Sequence, residues 1–236
     1  MIPMRDFKEK IQLIEQKLSS NNLPGLSSQL KMAPVTRLEE MKAKSLQTTN
    51  MKTSSLQTRT SDELQTRTSD QLSTRTSAVL ILFYPKESKP HIALIKRASD
   101  NTVHSGQISF PGGKVEKSDN SLIHTALREA NEEVGIITDS VNIIGQLTKL
   151  YIPPSNFDVF PIIGATYKTP TFSINCEVEK VLEVDLRELI NPNNYTHKII
   201  QHRNGNEIDV PCYFIQDEVV WGATAMIISE LLDVIG

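Results

Sequence analysis

Hydrophobic residues recur along the chain in different patterns, and each pattern predicts a different kind of structure. In the segment 5–19, RDFKEKIQLIEQKLS, the apolar residues Phe7, Ile11, Ile14 and Leu18 recur at helical spacing. This spacing predicts an amphipathic helix, whose apolar side needs a partner surface.

The tract from about 45 to 77 is different, because it is dominated by Thr and Ser and contains no aromatic residue. From Leu56 it reads LQTRTSDE, LQTRTSDQ and LSTRTSAV, a repeat of eight residues. One Leu per repeat buries too little surface to offset the entropy lost on ordering, which predicts a disordered linker. The linker would join an N-terminal helical extension, residues 1–44, to a folded domain, residues 78–236. A small β-solenoid and a phosphorylated regulatory segment are the alternatives.

From Ala78 the pattern becomes typical of strands, with AVLILFYP and HIALIKRA separated by the turn-like KESKP. The elements predicted after this pair are a helix over 120–134, strands near 142–150, 158–166 and 179–184, a short helix near 185–190, strands near 197–201 and 211–215, and a helix over about 222–234. Helices in two places would cover both faces of one sheet. The fold class is therefore α/β, in an α/β/α layered arrangement.

Charge and hydropathy exclude several classes of partner. A net charge of -3 and a pI near 6.0 give no overall attraction to nucleic acid or to acidic membranes. The most apolar late stretch, VVWGATAMIISELLDVIG, is interrupted by Ser229, Glu230 and Asp233. It predicts a strand that runs into a core helix and no membrane span. No signal-peptide pattern opens the sequence, so the expected location is cytoplasmic.

The predicted helix over 120–134 carries an unusual group of acids. Glu129, Glu132 and Glu133 lie at i, i+3 and i+4, so all three project from one face. Like charges at this spacing repel, and a divalent cation would remove the penalty. Arg128 is four residues before Glu132 and could brace its carboxylate. The alternative is a solvated acidic helix face.

Two glycines precede this helix and strengthen the metal hypothesis. Gly112 and Gly113 would let the backbone approach a ligand closely. The cluster offers oxygen ligands without thiolates or paired histidines, a set that suits Mg²⁺ or Mn²⁺ better than Zn²⁺.

The residues from Gly113 to Ile136 resemble the signature box of the Nudix hydrolases, G-x5-E-x7-R-E-U-x-E-E-x-G-U, where U is a bulky apolar residue. REANEEVGI, which begins at Arg128, matches the second half of the box. The first half is one residue longer, because the expected acid falls on Asp119 counted forward from Gly113 and on Asn120 counted back from Arg128. The resemblance implies a Nudix-type α/β/α sandwich with a mixed sheet, here with an N-terminal helical extension.

A narrower resemblance is to the coenzyme A pyrophosphatase-like branch, whose upstream motif is close to L-L-T-x-R-[SA]-x3-R-x3-G-x3-F-P-G-G. The matching residues are LIKRA at 94–98, Gly106 and FPGG at 110–113. The main departure is Thr102, where the motif has Arg. The branch implies metal-dependent hydrolysis of coenzyme A to 3′,5′-ADP and 4′-phosphopantetheine, and a homodimer to which the N-terminal helix would contribute.

The resemblance also implies a role for individual residues. The implied metal ligands are Glu129 and Glu133, with Glu132 holding a second ion or taking the proton of the attacking water, and Glu116 and Asp119 as outer candidates. Catalysis would involve Arg128, Glu132 and Glu133, with Glu177, Glu179 and Glu183 as alternative bases from a later segment. Substrate contacts are expected from Lys96, Arg97, His104, Gly106, Gly112, Gly113, Lys114 and Tyr151.

Two other functions fit the same residues. One is a Nudix hydrolase of another nucleoside diphosphate derivative, such as a dinucleotide, ADP-ribose or a nucleotide sugar. The other is a non-catalytic Nudix module that binds a nucleotide. The complete set of three glutamates argues against the non-catalytic module, because a pure binding module has no need of three clustered carboxylates.

Overall fold

The computed structural model describes residues 4–20, 22–39, 74–99, 105–201, 205 and 207–236. The α-helices whose bounds lie within these ranges are α1 (Met4–Ser19), α2 (Leu26–Gln29), α3 (Leu122–Val134), α4 (Leu186–Ile190) and α5 (Gly222–Ile235). Residues 35–39 are also helical. The strands in the same ranges are β1 (Arg75–Lys86), β2 (Lys89–Arg97), β3 (Ile108–Ser109), β4 (Gly112–Lys114), β5 (Asn142–Gln146), β6 (Leu150–Ile152), β7 (Phe157–Ala165), β8 (Val178–Asp185), β9 (Tyr195–Gln201), β10 (Glu207–Ile215) and β11 (Glu218–Trp221).

Eight of these strands form one mixed sheet around β1. β1 pairs with β7 in parallel and with β2 and β4 in antiparallel orientation. β3 and β8 extend the sheet beyond β2, whereas β5 and β6 pair with β7. The strands β9, β10 and β11 form a separate antiparallel sheet.

The two faces of the large sheet are covered by different helices. Leu80 and Leu82 of β1 share a buried cluster with Ala126 and Ala130 of α3. Ile81 and its neighbours on the opposite face belong to a second cluster, which includes residues of α1, α5 and the small sheet. Alternating side chains of one strand thus serve both cores. The predicted α/β/α layering is confirmed.

The N-terminal helix packs on the domain itself. Phe7, Ile11, Ile14 and Leu18, the four residues that the spacing selected, are all buried. Leu18 lies so close to Gly145 of β5 that a Cβ at that glycine would be 2.9 Å from a Leu18 methyl carbon. The partner surface that this helix needed is therefore its own sheet.

The strand predicted near 142–150 is divided into β5 and β6. Between them, the Thr148 N–H donates to the Glu230 carboxylate (3.1 Å), and the Thr148 carbonyl accepts from the Gln29 side chain (2.9 Å). Side chains from other parts of the chain thus satisfy backbone groups that a continuous strand would pair along the sheet. The sequence pattern gave no sign of these partners.

β1 begins at Arg75, so the sheet includes three residues of the predicted 45–77 linker. The part of that tract before residue 74 lies outside the described residues. The short strands β3 and β4, on either side of Phe110, had not been predicted. Among the described residues, no helix is long and apolar enough to cross a membrane.

Candidate active site

The site begins where β4 crosses β1, and its two glycines are needed for different reasons. Gly112 pairs with Val79, and a Cβ there would lie 2.5 Å from the Val79 Cα and from the Ala78 carbonyl oxygen. A Cβ at Gly113 would overlap the carboxylate of Glu129. The first glycine thus permits close strand contact, and the second leaves space for an acid of the site.

Helix α3 has clear start and stop signals. The Ser121 hydroxyl caps its start by accepting from the His124 N–H (3.1 Å). Gly135 ends the helix in the left-handed conformation, with φ of 71°. The helix starts at Leu122, two residues after the predicted start, and its acidic face is directed at β4.

Glu133 is the most buried of the three glutamates of α3, with a side chain 3% exposed. Its Oε2 accepts from the Gly112 N–H (2.9 Å), and its Oε1 accepts from Arg97 (3.2 Å). Burial raises the pKa of Glu133 to about 7, although both of these contacts favour the charged form. The repulsion from Glu129 and Glu177 adds to the rise.

The other two acids of α3 are progressively more exposed. The Glu129 side chain is 17% exposed and pairs with the Arg128 guanidinium at 3.0 Å. Burial raises the pKa of Glu129, and repulsion from Glu132 and Glu177 contributes. Glu132 is 52% exposed and pairs with the same guanidinium at 3.1 Å, as the i, i+4 spacing predicted.

Asp119 fixes the Arg128 guanidinium by hydrogen bonds. The Arg128 Nε and Nη2 donate to the two Asp119 oxygens, each at 3.0 Å, and Nη2 also donates to the Lys114 carbonyl. Asp119 further accepts from the Thr125 hydroxyl and from the Glu116 N–H, both at 2.9 Å. The Arg128 hydrogen bonds, followed by those from the Glu116 N–H and Thr125, hold the pKa of Asp119 well below its usual range, although burial opposes the shift.

These contacts locate the extra residue of the box. Asp119 is the acid that meets the helix, so counting forward from Gly113 gives the correct position. The additional residue lies between Asp119 and the start of α3. With both oxygens already used by donors, Asp119 positions Arg128 and is poorly placed as an outer metal ligand. The carboxylate of Glu116 is on an exposed loop.

One acid from outside the box joins the site. Glu177, just before β8, pairs with Arg97 at 3.4 Å. Its N–H donates to the Asn175 side chain (2.9 Å), and its carbonyl accepts from the Ala98 N–H (2.8 Å), which fixes the loop. Sequence alternation had grouped Glu177 with two further acids of β8.

Those two acids lie elsewhere. Glu179 pairs with Lys96 at 3.1 Å, and Glu183 pairs with Lys86 at 2.8 Å. The register of β2 and β8 shifts between Lys96 and Arg97, the two cations that pair with Glu179 and Glu177 respectively.

The carboxylates fit a hard divalent cation, although the described residues contain no group of three potential ligands already arranged around one point. Repulsion from Glu177 contributes to the raised pKa values of both Glu129 and Glu133, and Glu129 contributes to that of Glu133. Arg97 and Arg128 now neutralise part of that charge. A set of oxygen donors whose negative charge is only partly balanced suits Mg²⁺ or Mn²⁺.

A cleft of about 590 Å³ leads away from these acids. Four of the predicted substrate residues line it: Arg97, Gly112, Gly113 and Lys114. Its other walls are mainly apolar and come from β3, the turn before β7, the small sheet and the start of α5; they include Ile108, Phe110, Ile152, Phe157, Trp221 and Met226. Trp221 and Phe157 thus contribute to a ligand-sized space.

Of the remaining predicted contacts, those within the described residues do not line this cleft. Lys96 pairs with Glu179 and Glu218, each at 3.1 Å, and Tyr151 donates its hydroxyl to Asn156 (3.1 Å) on the surface. Gly106 lies in a turn with φ of 67°, next to cleft residue Gln107. His104 and Thr102 lie outside the described residues.

Comparisons with known proteins agree with this geometry. A family model described as NUDIX domain matches residues 74–204. The chain is 38% identical over 146 residues to the uncharacterized Nudix hydrolase NudL of Photorhabdus laumondii, covering 61% of this chain and 76% of that protein. The NudL of Yersinia pestis is also 38% identical, over 144 residues that cover 61% and 71% of the two chains.

Solved structures are more distant. An Ap4A hydrolase binary complex of C. elegans is similar over 49% of this chain and 83% of that one, with 16% identity and a TM-score of 0.42. The NUDIX domain of Shewanella oneidensis NrtR, solved with ADP ribose, covers 56% of this chain and 87% of its own, with 17% identity and a TM-score of 0.41.

Proposed function

Because the chain belongs to the Nudix hydrolase family, which acts on diphosphate bonds, we propose that it hydrolyses the diphosphate of coenzyme A or its derivatives. The products would be 3′,5′-ADP and (acyl-)4′-phosphopantetheine. The main support is the cleft, which joins a charged end at Arg97 and Lys114 to a long, mainly apolar wall. A diphosphate that carries a long flexible arm matches both parts. The upstream LIKRA and FPGG segments, which resemble the coenzyme A branch, add sequence support.

In this proposal the chain's own residues divide the work between binding and proton transfer. Glu129 and Glu133 would hold Mg²⁺ or Mn²⁺, and the bound ion would supply neutralisation of the diphosphate charge. Arg97, which pairs with Glu133 and lines the cleft, would bind phosphate oxygens with its planar guanidinium. Arg128, fixed by Asp119, keeps Glu129 and Glu132 in position.

The proton of the attacking water needs an acceptor other than Glu129 and Glu133, which would hold the ion. Glu132 and Glu177, at 52% and 60% exposure, are the two candidates beside the buried acids. Single Gln substitutions distinguish them, because the variant that removes the base lowers kcat more than KM and alters the pH profile.

The direct test is product identification. The full chain is incubated with Mg²⁺ or Mn²⁺ and with coenzyme A, ADP-ribose or a dinucleotide in parallel. We expect 3′,5′-ADP and 4′-phosphopantetheine from coenzyme A. If coenzyme A stays intact while another diphosphate is cleaved, the substrate proposal is wrong and the enzyme belongs with the other nucleoside diphosphate hydrolases. Absence of turnover with every diphosphate and both metals would support a binding module.

A substitution at Glu133 tests the metal site. Glu133→Gln keeps an oxygen to accept from the Gly112 N–H but removes the charge, and we expect kcat to fall by several orders of magnitude. Circular dichroism and the unfolding midpoint verify that the variant is folded. Unchanged turnover would remove Glu133 from the metal site.

A further inference from the structure

Two hydroxyls in the cleft wall have no hydrogen-bond partner within the described residues. They are the Oγ atoms of Ser109 and Ser155, both of which are buried and belong to residues that line the cleft. Ser155 as a residue is only 9% exposed. Other hydroxyls of the same wall are satisfied, since Ser77 donates to the Asp158 carbonyl and Thr224 to the Ile108 carbonyl. The two unpaired hydroxyls are therefore exceptions within one surface.

A buried hydroxyl without a partner is unfavourable, because it has lost its hydrogen bonds to water. Buried polar side chains in native proteins are nearly always paired, so an unpaired one needs an explanation, such as a water, an ion or a ligand that binds there. Both serines are small enough to be replaced by Ala without a change in packing. Retaining two such hydroxyls in an apolar wall is explained if a ligand pairs with them.

Their positions describe that ligand. Ser109 lies on β3, whereas Ser155 closes the turn before β7, and in the sheet order two strands lie between β3 and β7. A group that contacts both would have to extend along the cleft. The same cleft is also lined by side chains such as Phe110 and Phe157, which favour methylene groups. An aliphatic chain that carries separated amide or hydroxyl groups has this arrangement.

We propose that Ser109 and Ser155 bind the polar groups of an extended, amide-containing arm attached to the substrate diphosphate, and that they determine selectivity for such substrates. The inference rests on the proposed function, because the arm is that of pantetheine. It assigns recognition to residues outside the acidic box: Ser109 occupies an unspecified position of the upstream motif, between Gly106 and Phe110, and Ser155 lies outside that motif. A dinucleotide, whose second half is a polar ribose and a base, would leave much of this wall unfilled.

The test compares the two products as ligands, because only one carries the arm. Dissociation constants of 4′-phosphopantetheine and 3′,5′-ADP are measured by calorimetry for the wild type, Ser109→Ala and Ser155→Ala. We expect each substitution to weaken 4′-phosphopantetheine by about tenfold, the usual effect of one lost hydrogen bond to a ligand. Binding of 3′,5′-ADP should not change. The kcat/KM for coenzyme A should fall in parallel.

Unfolding of the ligand-free protein provides a second measurement. Removing an unpaired hydroxyl should leave the urea midpoint unchanged or raise it, so that binding weakens without a loss of stability. Ser77→Ala is the matched control: its hydroxyl already bonds Asp158, so its loss should lower the midpoint.

The outcomes separate this inference from the proposed function. If coenzyme A is not hydrolysed but 4′-phosphopantetheine binds and the serine variants weaken it, the proposed function fails and the inference stands. If the variants bind both products as the wild type does, the hydroxyls are satisfied by water and the inference is wrong. Equal weakening of both products, or no binding of 4′-phosphopantetheine to the wild type, also overturns it.

Discussion

At the scale of single residues, three glutamates within one helical turn have three different environments. Glu133 is enclosed by Gly112 and Arg97, Glu129 lies beneath Gly113, and Glu132 reaches solvent. Helical spacing predicted their common face. It could not rank their burial, because that depends on where β4 and β2 cross the helix.

The buried acid gives the metal-free protein a distinctive pH dependence. The pKa of Glu133 is about 7 in the folded state against an ordinary 4.5, so folding favours its protonated form. Stability from this group is complete below about pH 4.5 and is lost as pH rises through 7. In EDTA we expect unfolding free energy to fall by up to about 3 kcal/mol between pH 5 and pH 8.

Urea unfolding at these two pH values measures the effect. Glu133→Gln should remove most of the pH dependence, whereas Glu132→Gln, which alters a half-exposed side chain, should retain it. Equal pH dependence in all three proteins would show that Glu133 does not titrate in this range.

The adjacent glycines should respond differently to the same substitution. Gly112→Ala drives a Cβ into the β1 backbone, which cannot move away, so we expect a loss of stability of several kcal/mol. Gly113→Ala meets only the flexible end of Glu129, so the fold should persist while activity falls by at least about tenfold through the displaced acid. Thermal unfolding and kcat/KM, measured on both variants, compare the two effects. A stable, fully active Gly113→Ala would contradict the placement of Glu129.

At the scale of elements, hydrophobic periodicity was sufficient to predict helices, because a helix pairs its backbone N–H and C=O groups within itself. The apolar spacing of α1 predicted a helix that the structure has, and the helix predicted over 120–134 is α3, which Ser121 caps and Gly135 ends. The break between β5 and β6 was not predictable, because Gln29 and Glu230, which cause it, are distant in sequence. The contacts of Asp119 were not predictable for a similar reason, since its hydrogen-bond donors are brought together only in the folded loop.

The contact between α2 and α5 gives an element-scale prediction. Gln29 donates to the fully buried Glu230 carboxylate at 2.8 Å. Gln29→Ala should lower the free energy of unfolding by about 2 kcal/mol, because the carboxylate loses one of its donors. Gln12→Ala, on the exposed side of α1, is the control and should have little effect in the same urea titration. Equal effects of the two substitutions would show that the contact between Gln29 and Glu230 is unimportant for stability.

At the scale of the whole molecule, the cleft includes residues on both sides of the matched domain. Arg37 precedes residues 74–204, and Trp221 follows them. The sequence predicted the acidic end of the site because it lies in one contiguous motif. The apolar walls are assembled from separate segments, so no local pattern marked them.

The start of β1 refines the expected effect of a deletion. Removing residues 45–73 should leave activity within about twofold of the wild type. Removing 45–77 also deletes Arg75, which lies over the Phe157 ring, and Ser77, which pairs with Lys114. We expect that longer deletion to lose at least about tenfold in kcat/KM and to unfold at lower temperature. Equal activity of the two deletions would contradict a role for the first residues of β1.

The parallel pairing of β1 with β7 also has a consequence for how the chain reaches this structure. Arg75 is in register with Phe157, so the central pair joins segments roughly 80 positions apart. Contacts this distant in sequence slow folding, and we expect refolding in milliseconds to seconds rather than microseconds. During synthesis, the backbone of β1 would remain unpaired on its β7 side until β7 emerged from the ribosome. Substitutions that weaken this pair should therefore lower the soluble yield in cells before they lower the activity of the purified enzyme.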